Sequence, residues 1–148
     1  MKRIFSQRID CHKQGRTIVP KGIIVHSLGT PQPDSEVIIK QWDVPRVEKA
    51  VHFMVSETRI IQLLPENYRY WGCGSGSKGS GNDTYIQFEI CEPSGFTYGT
   101  GSTKIGYDIK KNQKYFDAIW TNAVDLAAYL CKTYKISLDD IICHSEAY

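Results

Sequence analysis

Two segments of this 148-residue chain end alike: an apolar run closes on a histidine, once as Ile23-Ile24-Val25-His26 and once as Ile141-Ile142-Cys143-His144. Imidazole is a neutral nitrogen ligand and carries protons near neutral pH, so it serves metal ligation or acid–base chemistry. Continuous apolar runs bounded by turn residues read as strands buried on both faces. Open α/β sheets gather their sites at the carboxyl ends of such strands. Two strands of this design in one sheet can therefore point both imidazoles into one crevice, where a Zn²⁺ ion would find two standard ligands. Taken singly, either histidine is equally well a structural residue bonded to a carbonyl. A catalytic zinc needs three protein ligands and one open position, and only two are evident. His12 sits in a polar N-terminal stretch and His52 inside a hairpin, which makes both weaker candidates. Cys143 adjoins His144, but neighbours on a strand face opposite ways.

A carboxylate completes the set of groups that could do chemistry. In Tyr85-Ile86-Gln87-Phe88-Glu89-Ile90-Cys91, alternation puts Glu89 on one face with Gln87 and Cys91. A glutamate on a central strand is costly to bury unless something uses it; on an edge face it would simply be solvated. Two other motifs lead elsewhere. Gly74 to Gly79 formally matches a dinucleotide fingerprint, but a strand follows it, so the helix N-terminus that would hold a pyrophosphate is missing. Cys73 could be imagined as a nucleophile, yet nothing near it in sequence would depress its pKa.

The elements that must position these groups follow from periodicity and breakers. A helix is expected over 35–42 with Ser35 as cap, and a hairpin is expected where Val51, Phe53 and Val55 alternate before the turn at residues 56–59 leads into Ile60-Ile61-Gln62-Leu63-Leu64. Residues 72–81 read as a flexible surface loop, and residues 94–111 as a long glycine-rich loop. A helix from Asn112, its cap, to about Lys135 carries an apolar stripe of Phe116, Ile119, Ala123, Ala127, Leu130 and Tyr134. Ser137 and Asp140 are spaced as a capping box before the last strand.

Composition sets the outer limits. The length suits one domain over residues 1–148, burying about 70% of its extended surface. Charged residues at 23% and a net charge of +2 leave no cationic excess for nucleic acid. No apolar run approaches the ~20 residues of a membrane span, and the basic N-terminus lacks the apolar segment of a secretory leader, so no membrane association and a cytoplasmic origin are expected. Five cysteines without a CxxC pair point to reduced thiols, mostly buried, rather than to a disulfide framework.

From about Lys21 onward these blocks, in this order, resemble the zinc-dependent N-acetylmuramoyl-L-alanine amidases, the family shared by phage endolysins, bacterial autolysins and peptidoglycan recognition proteins. GIIVHS resembles the family's first zinc-ligand strand, VHFMV its second strand with an internal histidine, and IIQLLPENYRYW the stretch beneath the substrate groove. NDTYIQFEIC resembles the strand bearing the catalytic glutamate, and DIICHSEAY the strand with the second zinc histidine, especially as in endolysins of clostridia and their phages. The resemblance implies a single α/β domain with a mixed central β-sheet flanked by helices. It implies Zn as cofactor, held by His26 and His144, and Glu89 as general base. His52 would stand either behind the ligands or in the substrate groove, and Trp71 and Tyr68 would line that groove; in a noncatalytic binding module Trp42 and Tyr70 would join them in stacking on sugars. The substrate implied is bacterial peptidoglycan, cut by a monomer between N-acetylmuramic acid and L-alanine after release from the producing cell. Two departures accompany it. Many members carry Trp-His where this chain has Trp71-Gly72, and the family's third zinc ligand lies several residues past the second histidine, which places it beyond Tyr148 and suggests a domain trimmed at its C-terminus. The alternatives are a noncatalytic peptidoglycan-binding module of the same fold and a Cys73-dependent amidohydrolase.

Overall fold

The run from Ile23 to Val25 has no polar face to offer water, and it forms an interior strand of a six-stranded mixed sheet. The computed structural model describes residues 2–3, 15–45, 47–77 and 79–147; Cys11 and His12 lie outside them. In chain order the elements are β1 (Lys2–Arg3), β2 (Gly22–Ser27), α1 (Ser35–Trp42), β3 (Phe53–Val55), β4 (Ile60–Gln62), β5 (Tyr85–Ile90), β6 (Thr97–Tyr98), β7 (Lys104–Ile105), α2 (Ile109–Tyr134) and β8 (Ile141–Cys143). The sheet runs β1-β4-β3-β5-β2-β8, with β3 and β4 antiparallel and every other neighbouring pair parallel. This is the single-domain α/β architecture expected.

The expected hairpin forms where alternation placed it, with the Ser56 amide bonded to the Arg59 carbonyl at 2.9 Å across its turn. Helix α1 covers the expected residues, but its cap is Asp34, whose carboxylate accepts from the Glu36 amide at 3.0 Å, not Ser35. Aspartate caps as well as serine does, and Asp34 itself has the extended backbone that a cap requires. Helix α2 begins three residues before Asn112, capped by Asp108 through the Lys111 amide at 3.0 Å. Its buried stripe is Ile119, Ala123, Leu126 and Leu130, at spacings of four, three and four residues, which lies on one side of a helix. Phe116 stands half exposed at the rim rather than in that stripe.

Beneath α2, Phe53 and Phe88 sit side by side in register on β3 and β5, both buried. Burial of each is worth about 2–3 kcal/mol relative to exposure, so the centre of the sheet is held by packing rather than by the polar groups it presents at its ends. Asn122 of α2 ties the helix to the β3–β4 turn by donating to the Ser56 carbonyl at 2.9 Å. The loop expected over 94–111 contains a small second sheet: β6 and β7 pair antiparallel, and Gly101 turns between them with φ of +66°. Two-residue strands carry too little alternation to be read from sequence.

Candidate active site

The parallel register sets Val25 beside Cys143, so the residues that follow, His26 still on β2 and His144 just past the end of β8, lie side by side. Their imidazoles meet: His26 Nδ1 and His144 Nδ1 are 2.8 Å apart, with the rings edge to face at 4.8 Å between centroids. His26 is buried and His144 exposed. Burial lowers the His26 pKa to about 4, helped by the neighbouring His144 charge and opposed by a hydrogen bond to Gln87. At neutral pH His26 is therefore an uncharged imidazole, the form in which it ligates a metal.

Glu89 lies on β5 directly opposite His26 in the register, between it and Met54 of β3. Paired residues of parallel strands share a face, so the carboxylate stands on the His26 side of the sheet. Its Oε2 is shut off from solvent with no hydrogen-bond partner. Burial, then the nearby Glu92 charge, raise its pKa to about 7, partly offset by Lys49. The sheet thus brings together the three residues expected to carry chemistry.

The residues expected in the groove are placed differently. His52 is wholly buried, with both ring nitrogens engaged: Nδ1 accepts from the Gln87 amide at 2.9 Å and Nε2 donates to the Tyr68 carbonyl at 3.0 Å. It ties β5 to the 65–71 segment and offers nothing to a ligand. Burial depresses its pKa to about 3. Tyr70 is buried too, edge-on to His52 at 4.4 Å, while Tyr68, Trp71 and Trp42 are half buried and pack against the core. The Cys73 pKa is raised by burial, which argues against a thiolate nucleophile. Among the described residues Cys73, Cys91, Cys131 and Cys143 are free thiols; only Cys91 is fully buried, so the expectation that most would be buried does not hold.

A cavity of about 580 Å³ opens beside the histidine pair, lined among others by His26, His144, Glu92, Lys104, Tyr107 and Trp120. Sequence reasoning did not single out Glu92 or Lys104. Glu92 Oε1 accepts from Ser27 Oγ, from Tyr98 Oη at 2.6 Å and from the Gly29 amide at 3.3 Å. Lys104 Nζ stands 3.9 Å from the same oxygen and over the rings of Phe96, Tyr98 and Tyr107 at 5.2, 5.9 and 5.3 Å. This clamp fastens the β6–β7 hairpin to the end of β2. Its only sequence signal is an acidic residue two positions past the end of a strand and just before a proline.

A mixed sheet that ends two parallel strands on converging histidines, with a half-buried glutamate on the strand between them and the hairpin, defines a class, and sequence comparison names it. Residues 14–148 match the family model for N-acetylmuramoyl-L-alanine amidase, and the chain belongs to that family. It is 27% identical over 116 residues to the N-acetylmuramoyl-L-alanine amidase CwlH of Bacillus subtilis strain 168, across 77% of this chain and 46% of that protein. It is 34% identical over 83 residues to the amidase XlyA of the same strain, across 55% of this chain and 28% of that protein. The solved catalytic domain of XlyA superposes with a TM-score of 0.76 at 26% identity, covering 99% of this chain and 84% of that one. The chain thus spans about half of CwlH and under a third of XlyA.

The donors fit a zinc ion in kind: two imidazole nitrogens converge on one point from rigid strand ends, one of them buried and neutral. Among the described residues no group of three His, Cys, Asp or Glu side chains gathers to complete the set.

Proposed function

We propose that this domain hydrolyses the amide between N-acetylmuramic acid and the L-alanine of the peptidoglycan stem peptide. The observation that carries the proposal is the convergence of His26 and His144 with Glu89 on the adjacent strand position. Membership of the amidase family supports it. His26 and His144 would hold the zinc ion, with a third donor from outside the described residues. Held there, the ion would supply Lewis-acid polarisation of the scissile carbonyl and a lowered pKa for a bound water.

The chain's own groups do the rest. Glu89, with a pKa raised to about 7, is poised to take the proton of the attacking water and to return it to the departing amine of L-alanine. The low polarity that raises that pKa also keeps stray water from solvating the carboxylate. The enzyme is expected to act as a monomer on the cell wall after release from the producing cell; among the described residues no helix is long and apolar enough to cross a membrane.

Digestion of purified clostridial peptidoglycan, with products read by mass spectrometry, tests this. Stem peptides with a new L-alanine amino terminus should appear, and both a chelator and Glu89→Gln should abolish them. Release that survives either treatment refutes the mechanism. Sedimentation with cell walls without any release, in this chain and in a C-terminally extended one, would instead identify a binding module.

A further inference from the structure

The orientation of His26 is fixed by a chain of hydrogen bonds that starts at the backbone of the loop after Trp71. The amides of Gly72 and Cys73 both donate to Asn82 Oδ1, each at 3.1 Å, and Asn82 Nδ2 donates to the Cys73 carbonyl at 2.6 Å. Backbone groups cannot exchange roles, so they dictate which end of the Asn82 carboxamide is oxygen and which is nitrogen. Gln87 is wholly buried, and its carboxamide meets Asn82 Oδ1 at 2.8 Å. Because that atom only accepts, Gln87 must present Nε2 to it and is left with Oε1 facing His26 Nε2 at 2.9 Å. Oε1 in turn only accepts, so the His26 proton sits on Nε2 and its Nδ1 carries the bare lone pair. That nitrogen is the one directed at His144.

We propose that Gln87, backed by Asn82, is a positioning residue that presets His26 as the Nε2–H tautomer with Nδ1 free to ligate. Each link has one solution, and the chain begins at groups that cannot rotate. Space is committed to it as well: a Cβ on Gly72 would lie 2.2 Å from Gln87 Oε1, so residue 72 is bare where the carboxamide sits. The two histidines are consequently unequal. With His26 Nδ1 accepting, the 2.8 Å contact requires His144 Nδ1 to donate in the metal-free protein. Ligation through His26 Nδ1 would leave the His26 tautomer unchanged, whereas ligation through His144 Nδ1 would require its proton to move to Nε2. Groups that orient ligating histidines in this way typically govern metal affinity by about 10- to 100-fold.

The inference rests on His26 and His144 as ligands, and its test does not depend on cleavage. Long-range proton–nitrogen spectra of the metal-free protein at pH 8 should show His26 as Nε2–H and His144 as Nδ1–H, and zinc titration should convert His144 alone. Gln87→Leu should release His26 into a mixture of tautomers and raise the zinc Kd by about 10- to 100-fold. Gln87→Glu keeps an acceptor towards His26 Nε2 and should hold the wild-type tautomer. A wild-type His26 protonated on Nδ1 overturns the proposal without any variant, and so does a folded Gln87→Leu with unchanged tautomer and zinc affinity. Correct tautomers in a protein that fails to release L-alanine termini would refute the proposed activity and leave this inference standing.

Discussion

Replacing Glu89 by glutamine should make the protein inactive and, above neutral pH, more stable relative to its acid form than the wild type is. The carboxyl pKa is about 7 in the fold against 4.5 for the free group. That difference of about 2.5 units corresponds to about 3.5 kcal/mol in full at roughly 1.4 kcal/mol per unit. The sign follows from proton counts. Between those two values the native state holds a proton that the unfolded chain has lost, so stability falls as pH rises through the window. Below pH 4.5 the carboxyl is neutral in both states and costs nothing; above 7 the full penalty of the buried anion applies. Glutamine never ionises, so the stability of Glu89→Gln minus that of wild type should grow by about 3 kcal/mol between pH 4.5 and pH 8. For a domain of this size that is a shift in Tm of roughly 6–12 °C. Denaturant unfolding of both proteins at the two pH values, in chelator so that no cation lowers the carboxyl pKa, measures it. The comparison cancels any constant cost of placing an amide there. A gap that stays flat with pH would mean that Glu89 ionises as it does in water, and the reasoning from its unpartnered Oε2 would be wrong.

Two further outcomes are expected. His26 and His52 have pKa values lowered from 6.5 to about 4 and about 3, so each contributes stability that is complete above 6.5 and lost as pH falls toward those values. Between pH 4.5 and 6.5 Glu89 works against them, so these three groups leave a net slope of about one proton, roughly 1.4 kcal/mol per pH unit, and Glu89→Gln should steepen it to about two. Unfolding curves at half-unit intervals check this, and an unchanged slope in the variant contradicts the assignment of opposed titrations. Glu92→Ala should free the β6–β7 hairpin, because it removes the acceptor shared by Ser27, Tyr98 and Gly29. The expected cost is about 2–3 kcal/mol for bonds to a charged group. Hydrogen exchange at the Gly99 amide, bonded to the Thr103 carbonyl at 2.9 Å, should accelerate, and undiminished protection there would show that the clamp holds nothing.

What could be read from the sequence was whatever depends on period and neighbours. Ile23 to Val25 announced an interior strand because three β-branched residues in succession leave no solvent face, and the matched ends of β2 and β8 brought His26 and His144 into one crevice. Glu89 was legible because alternation put it opposite Phe88, which had to face the core. The misreadings share a physical cause. A groove role for His52 depended on which way its side chain turns, and that is settled by a partner distant in sequence: His52 is held by the Gln87 amide, 35 positions away. The clamp at Glu92 joins residues 27, 29, 98 and 104, and nothing local to any of them signals the others. Cap positions slipped because several residues near each helix start can accept from a backbone amide, and only the fold chooses among Asp34 and Ser35, or Asp108 and Asn112.

The features that make this site usable are ones that the fold works against. An unpartnered carboxyl oxygen at Glu89 and a neutral, buried His26 both arise from setting polar groups where water is scarce, and each would relax toward its ordinary ionisation if the strand ends opened. What holds them is the apolar centre of the sheet, where Phe53 and Phe88 pack beneath α2, together with backbone-anchored bonds that give Gln87 and His52 one arrangement each. Stability and chemistry are therefore separated by face and position along the same strands: Val25 of β2 and Phe88 of β5 pack against the core, while His26 and Glu89 towards the carboxyl ends are held away from their preferred states. A truncation of Phe88 should then lower stability evenly with pH, whereas a substitution of its neighbour Glu89 should change how stability depends on pH. That contrast follows from face and position on one strand.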